Sequence, residues 1–286
     1  MMQAASNHCL QEGWAATLRL RFAQDFATDT ILAERQHKGP LVVQKPLYPE
    51  GRAVCHVILL HPPGGVAGGD TLSVEVIAGT GSHALLTTPG AGKWYKGAGR
   101  SASQTLNFKV EAKALLEWLP QETILFDGAD VRWKTRIELE ADACYMGWEI
   151  VCFGRTASGE KFSQGGLRQR TEVFSEGKQI WGEYAVVEGG DEFLSSRSGL
   201  ANRTVSGTFL LAGYVMSDAL LNDLRAIVPA HDPAGIAGIT RVGGMVAIRY
   251  LGNSSELAKK YFVTVWSVLR PAVTGRAACV PRIWNT

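Results

Sequence analysis

Residues 87–95, TTPGAGKWY, set a lysine behind a glycine-rich turn, an arrangement many chains use to cradle a nucleotide phosphate. A loop of that kind reads G-x-x-x-x-G-K-[ST]: amides wrap the phosphates, the lysine reaches the outermost one and the hydroxyl takes magnesium. Gly92-Lys93 supplies the pair, but Thr87 stands where the first glycine belongs and Trp94 where the hydroxyl belongs. The text that follows, ASQTLNFKV, reads as a strand and not as the amphipathic helix such a loop opens. A tight turn between strands is expected, with Gly90 and Gly92 taking backbone angles other residues avoid. A nucleotide-binding protein stays an alternative only if the isolated chain binds GTP or ATP.

Metal and nucleophile chemistry is sparse. The six histidines are His8, His37, His56, His61, His83 and His231, and no two lie at helical i, i+4 spacing around a glutamate. The most unusual stretch is HPPGGVAGGD (61–70), bracketed by His61 and Asp70. Such a loop is either a plain connection or a backbone lying close to something else. No G-x-S-x-G elbow occurs. Glu117, Glu122, Asp127 and Asp130 could supply a carboxylate pair, so a β-solenoid carbohydrate hydrolase is the alternative class. It requires two carboxylates about 5–10 Å apart in a cleft. In WLPQETILFDGA (118–129), Glu122 and Asp127 form a polar seam in apolar text. Arg168 and Arg170 fall on one face of a strand, where arginines are solvated or anchor a partner.

Composition narrows the classes. The 286 residues are 46% hydrophobic with a net charge of +2, which suits a globular chain and gives no reason to invoke nucleic acid. No stretch approaches the ~20 apolar residues of a membrane helix. The start, MMQAASNHCLQEGW, has neither a basic nor an apolar signal region, so a cytoplasmic location is expected. Cys9, Cys55, Cys144, Cys152 and Cys279 are odd in number and widely spaced, as buried free thiols are.

The elements that must position these residues are mostly strands. ATLRLRF alternates apolar and polar residues, and AVCHVILL, TLSVEVIAG, HALLTTP, SQTLNFKVEA, ALLEWLP, ETILFDG, RWKTRIELEA and YMGWEIVCFG follow, each closed by Gly, Pro or Asp. SEGK turns RTEVF into QIWGEY. Two helices are expected. One spans 217–228, capped by Ser217 and stopped by Pro229. The other spans 254–271, capped by Asn253, with Leu257, Tyr261, Val265 and Val268 as its apolar stripe and Pro271 as its end. The fold class is all-β dominated: a β-helical or stacked β-layer single domain over 14–286 with two α-helices packed on it, after a mobile N-terminus at 1–13.

HPPGGVAGGD, TTPGAGKWY, LEWLPQETILFDGA, GEKFSQGGLRQRTEVF and the tail LRPAVTGRAACVPRIWNT occur in this order, and together they resemble the urease accessory protein UreD (UreH) family over residues 14–286. The resemblance implies a non-enzymatic scaffold. It would bind UreF, through UreF the GTPase UreG, and the urease apoprotein, so that nickel enters the urease active site. It further implies no tightly bound cofactor, a transient nickel ion and an internal wet passage for it. On that reading His61, Asp70, Glu122 and Asp127 are the expected weak transit ligands. Trp94, Tyr95, Arg168, Arg170, Arg282 and Trp284 are the expected partner anchors, with docking of the tail onto its own domain equally open for Trp284.

Overall fold

The computed structural model describes residues 13–229 and 235–285, so His8, Cys9, His231 and nearly all of the expected mobile N-terminus lie outside the described residues. The chain winds between two facing sheets. Strand β1 (Ala15–Gln24) turns back as β2 (Thr30–Lys38), then crosses through β3 (Val42–Val43) to β4 (Cys55–Leu60) in the second sheet. It returns as β5 (Thr71–Ala78), crosses as β6 (His83–Thr87) and the short β7 (Gly92–Trp94), and returns as β8 (Ala102–Val110). The same step repeats through β9 (Leu115–Trp118), β10 (Thr123–Leu125), β11 (Asp130–Leu139), β12 (Cys144–Phe153) and β13 (Gly166–Ser175). Successive turns pair in parallel, β1 with β5, β5 with β8, β8 with β11 and β11 with β13 in one sheet, and β4 with β6, β6 with β9 and β9 with β12 in the other. This is the expected stack of β-layers.

The winding ends in antiparallel additions. β14 (Lys178–Glu188) hairpins onto β13 through Glu176 and Gly177, whose φ values of 48° and 77° make the turn. β15 (Val205–Ala212) pairs with β12, then β16 (Ile236–Val242) and β17 (Met245–Gly252) extend the second sheet. The first sheet runs β14-β13-β11-β8-β5-β1-β2, and the main path of the second runs β16-β17-β15-β12-β9-β6-β4-β3. Alternation does not reveal β2, whose residues are mostly exposed along an open edge, nor β7, β16 and β17.

The two sheets bury differently. β1 alternates between the interior and solvent, because only its inner face is covered. β12 is buried at every position except Glu149, because the helices cover its outer face. Helix α1 (Asp218–Arg225) is capped by Ser217, whose Oγ accepts from Leu220 N; it ends three residues before the expected Val228. Helix α2 (Ser255–Thr274) departs further from expectation. Its cap is Ser254, while the Asn253 side chain accepts from Thr204 N. Pro271 sits inside the last turn instead of ending it, and Gly275 at φ 69° closes the helix by donating to Pro271 O. The buried face is Ala258, Tyr261, Phe262, Val265, Trp266, Leu269 and Arg270, while Val268 is exposed.

Arg270 explains why the helix continues past its proline. Its guanidinium is fully buried, donates to both oxygens of Glu117 (3.0 and 3.2 Å) and both of Glu50 (2.8 and 2.7 Å), and reaches Ala277 O in the tail. Trp266 Nε1 and the His83 ring complete the shell of Glu117, each at 2.6 Å, and His56 meets Glu50 at 2.7 Å. One cation thus joins the helix, the second sheet, the 44–54 loop and the tail.

Removing one member leaves the others buried without compensation. Arg270→Met is therefore expected to lower unfolding free energy by roughly 3–5 kcal/mol in urea denaturation. Burial would push the Glu50 carboxyl up, but His56 and Arg270 hold it down at about 2. A carboxylate depressed by folding contributes stability that is complete above its unfolded value of 4.5 and is lost as pH falls through about 2. The parent's urea midpoint should therefore fall more steeply between pH 5 and pH 3 than that of Glu50→Gln.

Candidate functional site

Three adjacent strands of the second sheet carry a polar row across the interior. In register, Glu149 of β12 stands beside Thr208 of β15, and Thr208 beside Arg249 of β17. The first sheet carries a matching row, Thr135 of β11 beside Thr171 of β13 beside Glu183 of β14. Ile137 and Leu210 are apolar inward neighbours of these rows, and Gln169 is a further polar one. Together with Gln169 and Gly147 these residues line a cavity of about 40 Å³, room for about three water molecules. Gly147 is required there: a Cβ would lie 2.2 Å from the Tyr145 hydroxyl.

Glu149 also lines a second, larger cavity of about 490 Å³ and, among the described residues, is the one that lines both. From Glu149, Trp118 and Gln104 this space runs between the sheets to a mouth formed by the 61–66 and 88–93 loops, with His61 and Lys93 on its wall. Two cavities therefore adjoin Glu149, one with His61 on its wall and the other with Glu183.

The electrostatics single out Glu149. Two other inward-facing carboxylates have cations: Glu117 has Arg270, and Glu183 has Arg249 at 2.7 Å. Among the described residues Glu149 has no ion pair and accepts one hydrogen bond, from Trp118 Nε1 at 2.8 Å. Burial pushes its carboxyl up to about 7, and the Trp118 N–H opposes the rise. Burial also lowers the pKa of His61, with Asp70 opposing, which favours a neutral imidazole at the mouth.

Of the four expected transit ligands, His61 lines this space and the three carboxylates do not. Asp70 is a staple: Oδ1 accepts from Trp14 N and Oδ2 from Ala67 N, both at 2.8 Å. Asp127 accepts from Ser163 N at 2.7 Å and Gln164 N at 2.8 Å, fixing the loop before β13. Glu122 lies next to Gln121 and Thr123, which line the large cavity, and raises the pKa of Lys259, which burial lowers to about 8. Glu149 and Glu183 are the carboxylates that do face the cavities. The sequence signal for Glu149 is a single glutamate in YMGWEIVCF, an otherwise apolar strand.

The expected partner anchors divide. Trp94 is 3% exposed, packs on Trp133 at 5.6 Å and lines the large cavity, so it presents no outer surface. Tyr95 is exposed beside Phe126. Arg168 binds Asp130 and Glu188, and Arg170 binds Glu172, all on the solvent face of the first sheet. Arg282 is exposed on a groove beside Leu47 and Tyr48. Trp284 packs on its own domain: its Nε1 donates to Thr87 Oγ1 at 2.7 Å, Trp148 lies 5.7 Å away and Lys259 sits over its ring.

The 87–95 loop uses its amides on the sheet. Gly92 N donates to Glu122 O and Tyr95 N to Val66 O, and Gly92–Trp94 pairs with β10. Gly90 and Gly92 do not take positive φ, contrary to expectation, because Gly92 enters a strand. None of Glu117, Glu122, Asp127 or Asp130 lines either interior cavity. Among the described residues no three His, Cys, Asp or Glu side chains converge to hold a metal ion, and no helix is long and apolar enough to cross a membrane.

Comparison with known proteins agrees over nearly the whole length. The family described as "UreD urease accessory protein" matches residues 15–285. A "Urease accessory protein UreD" of Dechloromonas aromatica (strain RCB) is 50% identical over 276 residues, covering 96% of this chain and 95% of the relative. Proteins of the same description from Janthinobacterium sp. (strain Marseille) and Nitrosospira multiformis are 48% and 45% identical; they cover 95% of this chain each, and 91% and 97% of their own lengths.

The geometry separates stapling carboxylates from cavity carboxylates. Asp127→Ala should cost roughly 1 kcal/mol of stability, through the backbone amides it leaves unpaired. It should leave nickel loading of co-expressed urease unchanged, as read by metal analysis of the purified enzyme.

Proposed function

The chain belongs to the UreD family of urease accessory proteins, and from that footing we propose that it is the scaffold through whose interior nickel passes on its way to the urease active site. A role in urease maturation comes with the family. The finer reading is that it binds the urease apoprotein and UreF, and through UreF the GTPase UreG. The chain would hold no tightly bound cofactor, only the nickel ion in transit. The buried thiols Cys55, Cys144 and Cys152 suit a reducing, cytoplasmic setting.

The observation that carries this reading is Glu149, a carboxylate without a cation at the junction of two cavities. A divalent ion entering an apolar interior needs negative charge and oxygen atoms on its way. Glu149 supplies the charge, and Thr135, Thr171, Thr208 and Gln169 supply neutral oxygens beside it. His61 supplies an imidazole at the outer mouth. The set is thin, and that suits a carrier: several strong ligands at one point would bind nickel too tightly to release it.

The test is co-expression of urease and its accessory proteins with the parent chain or with Glu149→Leu. Nickel per urease active site should fall about tenfold, a loss typical of removing a metal-site residue, while the amount of assembled complex stays constant. Full nickel occupancy with Glu149→Leu would refute the interior route.

A further inference from the structure

The larger cavity is more apolar than an ion requires. Leu72, Val74 and Leu106 of the first sheet line it together with Leu59 and Trp118 of the second and Trp94 of β7. All six side chains belong to the buried core between the sheets. A hydrated divalent ion gains nothing from such walls, whereas an organic body gains by leaving water for them. The volume of about 490 Å³ lies within the range of small-molecule sites, which are mostly apolar with a few placed polar groups.

The charged groups on the walls are separated. Glu149 stands at the inner end, with one hydrogen bond, from Trp118 Nε1, and no ion pair among the described residues. Gln104 adds a neutral amide oxygen to the lining. Lys93, the one lysine or arginine among the described lining residues, is at the mouth with His61. A carboxylate inside an apolar space, with tryptophan side chains on the wall, is an arrangement that selects an organic cation.

Going beyond the nickel reading and independently of it, we infer that the large cavity is a binding site for a primary amine with one apolar body, its ammonium on Glu149 and its hydrocarbon between the two sheets. The ammonium gives Glu149 the cation it lacks and offers N–H groups to the Gln104 oxygen. The body displaces water from the leucines and from Val74. An alcohol of the same length leaves Glu149 uncompensated, and a carboxylate is repelled by it. A second ammonium on the ligand would lie against apolar walls or near Lys93, so a monoamine is preferred to a diamine. On the passage reading, a seated amine neutralises the charge a divalent ion needs, so amine and nickel exclude each other at Glu149.

The test is isothermal titration calorimetry of the purified, metal-free full chain, run above the Glu149 value of about 7 so that its carboxyl is ionised. The probes are hexylammonium, hexanol, hexanoate and the diammonium of the same chain. Hexylammonium should bind with a Kd on the order of 0.1 mM, within what so small a ligand can supply. The other three should bind at least about tenfold more weakly, the value of a hydrogen bond to a charged group. Glu149→Gln should weaken hexylammonium by a similar factor and remove its advantage over hexanol. If that variant does not fold, the probe series on the parent stands without it, and a crystal soaked in a bromophenyl-alkylammonium locates the site: the bromine should give an anomalous peak among Leu72, Leu106 and Trp94. Equal binding of hexanol and hexylammonium, unchanged binding in folded Glu149→Gln, no binding of hexylammonium, or bromine confined to the outer surface overturns the inference. Because no nickel is present, this result is separate from the Glu149→Leu test. Amine binding together with full nickel loading in Glu149→Leu would keep this site and discard the interior route, and the opposite pair of results would keep the route and discard the site.

Discussion

A carboxylate held inside a protein without a cation is costly, and Glu149 is held that way. The surrounding architecture makes it tolerable without making it comfortable. Trp118 gives one hydrogen bond, the neighbouring threonines and Gln169 make the space polar, and the cavities on both sides admit water. Had the position served packing alone, an apolar residue would fit β12 as its neighbours do. The fold contains a direct contrast, because Glu117 on the adjacent strand β9, in register with Met146 and turned toward α2, is saturated by Arg270, Trp266 and His83. One glutamate is built to be fixed and the other to be available.

The winding topology is what allows two adjoining interior cavities. Parallel turns stack the inward residues of successive strands in register, so a polar residue on β11 meets one on β13 and then one on β14. The second sheet does the same from β12 to β15 to β17. The sheets can remain apart here because the second sheet has a separate core against α1 and α2, where Trp148, Phe209, Phe262 and Trp266 pack. The larger core still lies between the sheets, and the helix side, anchored by Arg270, adds a second one.

Much of the strand order was legible because Gly, Pro and Asp punctuate short apolar runs, and the hairpin at Glu176-Gly177 and the cap at Ser217 have local signatures. The end of α2 was misleading because Pro271 normally stops a helix, whereas here Arg270 is gripped from outside the helix. His61 was legible as a cavity residue from its Pro/Gly-rich loop. Asp70 and Asp127 have the same kind of context, but short acids in such turns commonly accept backbone N–H groups, and both do. The pairing of Glu183 with Arg249 joins residues 66 apart and follows from sheet register, which no local pattern encodes.

The interior route is tested most directly by locating the ion. Crystals of the chain soaked in dilute nickel and measured at the nickel absorption edge should show an anomalous peak within coordination distance of the Glu149 carboxylate, and the peak should vanish in Glu149→Leu. Peaks confined to surface histidines, with the space between Glu149 and Thr135 empty of metal at nickel concentrations that load urease, would contradict it.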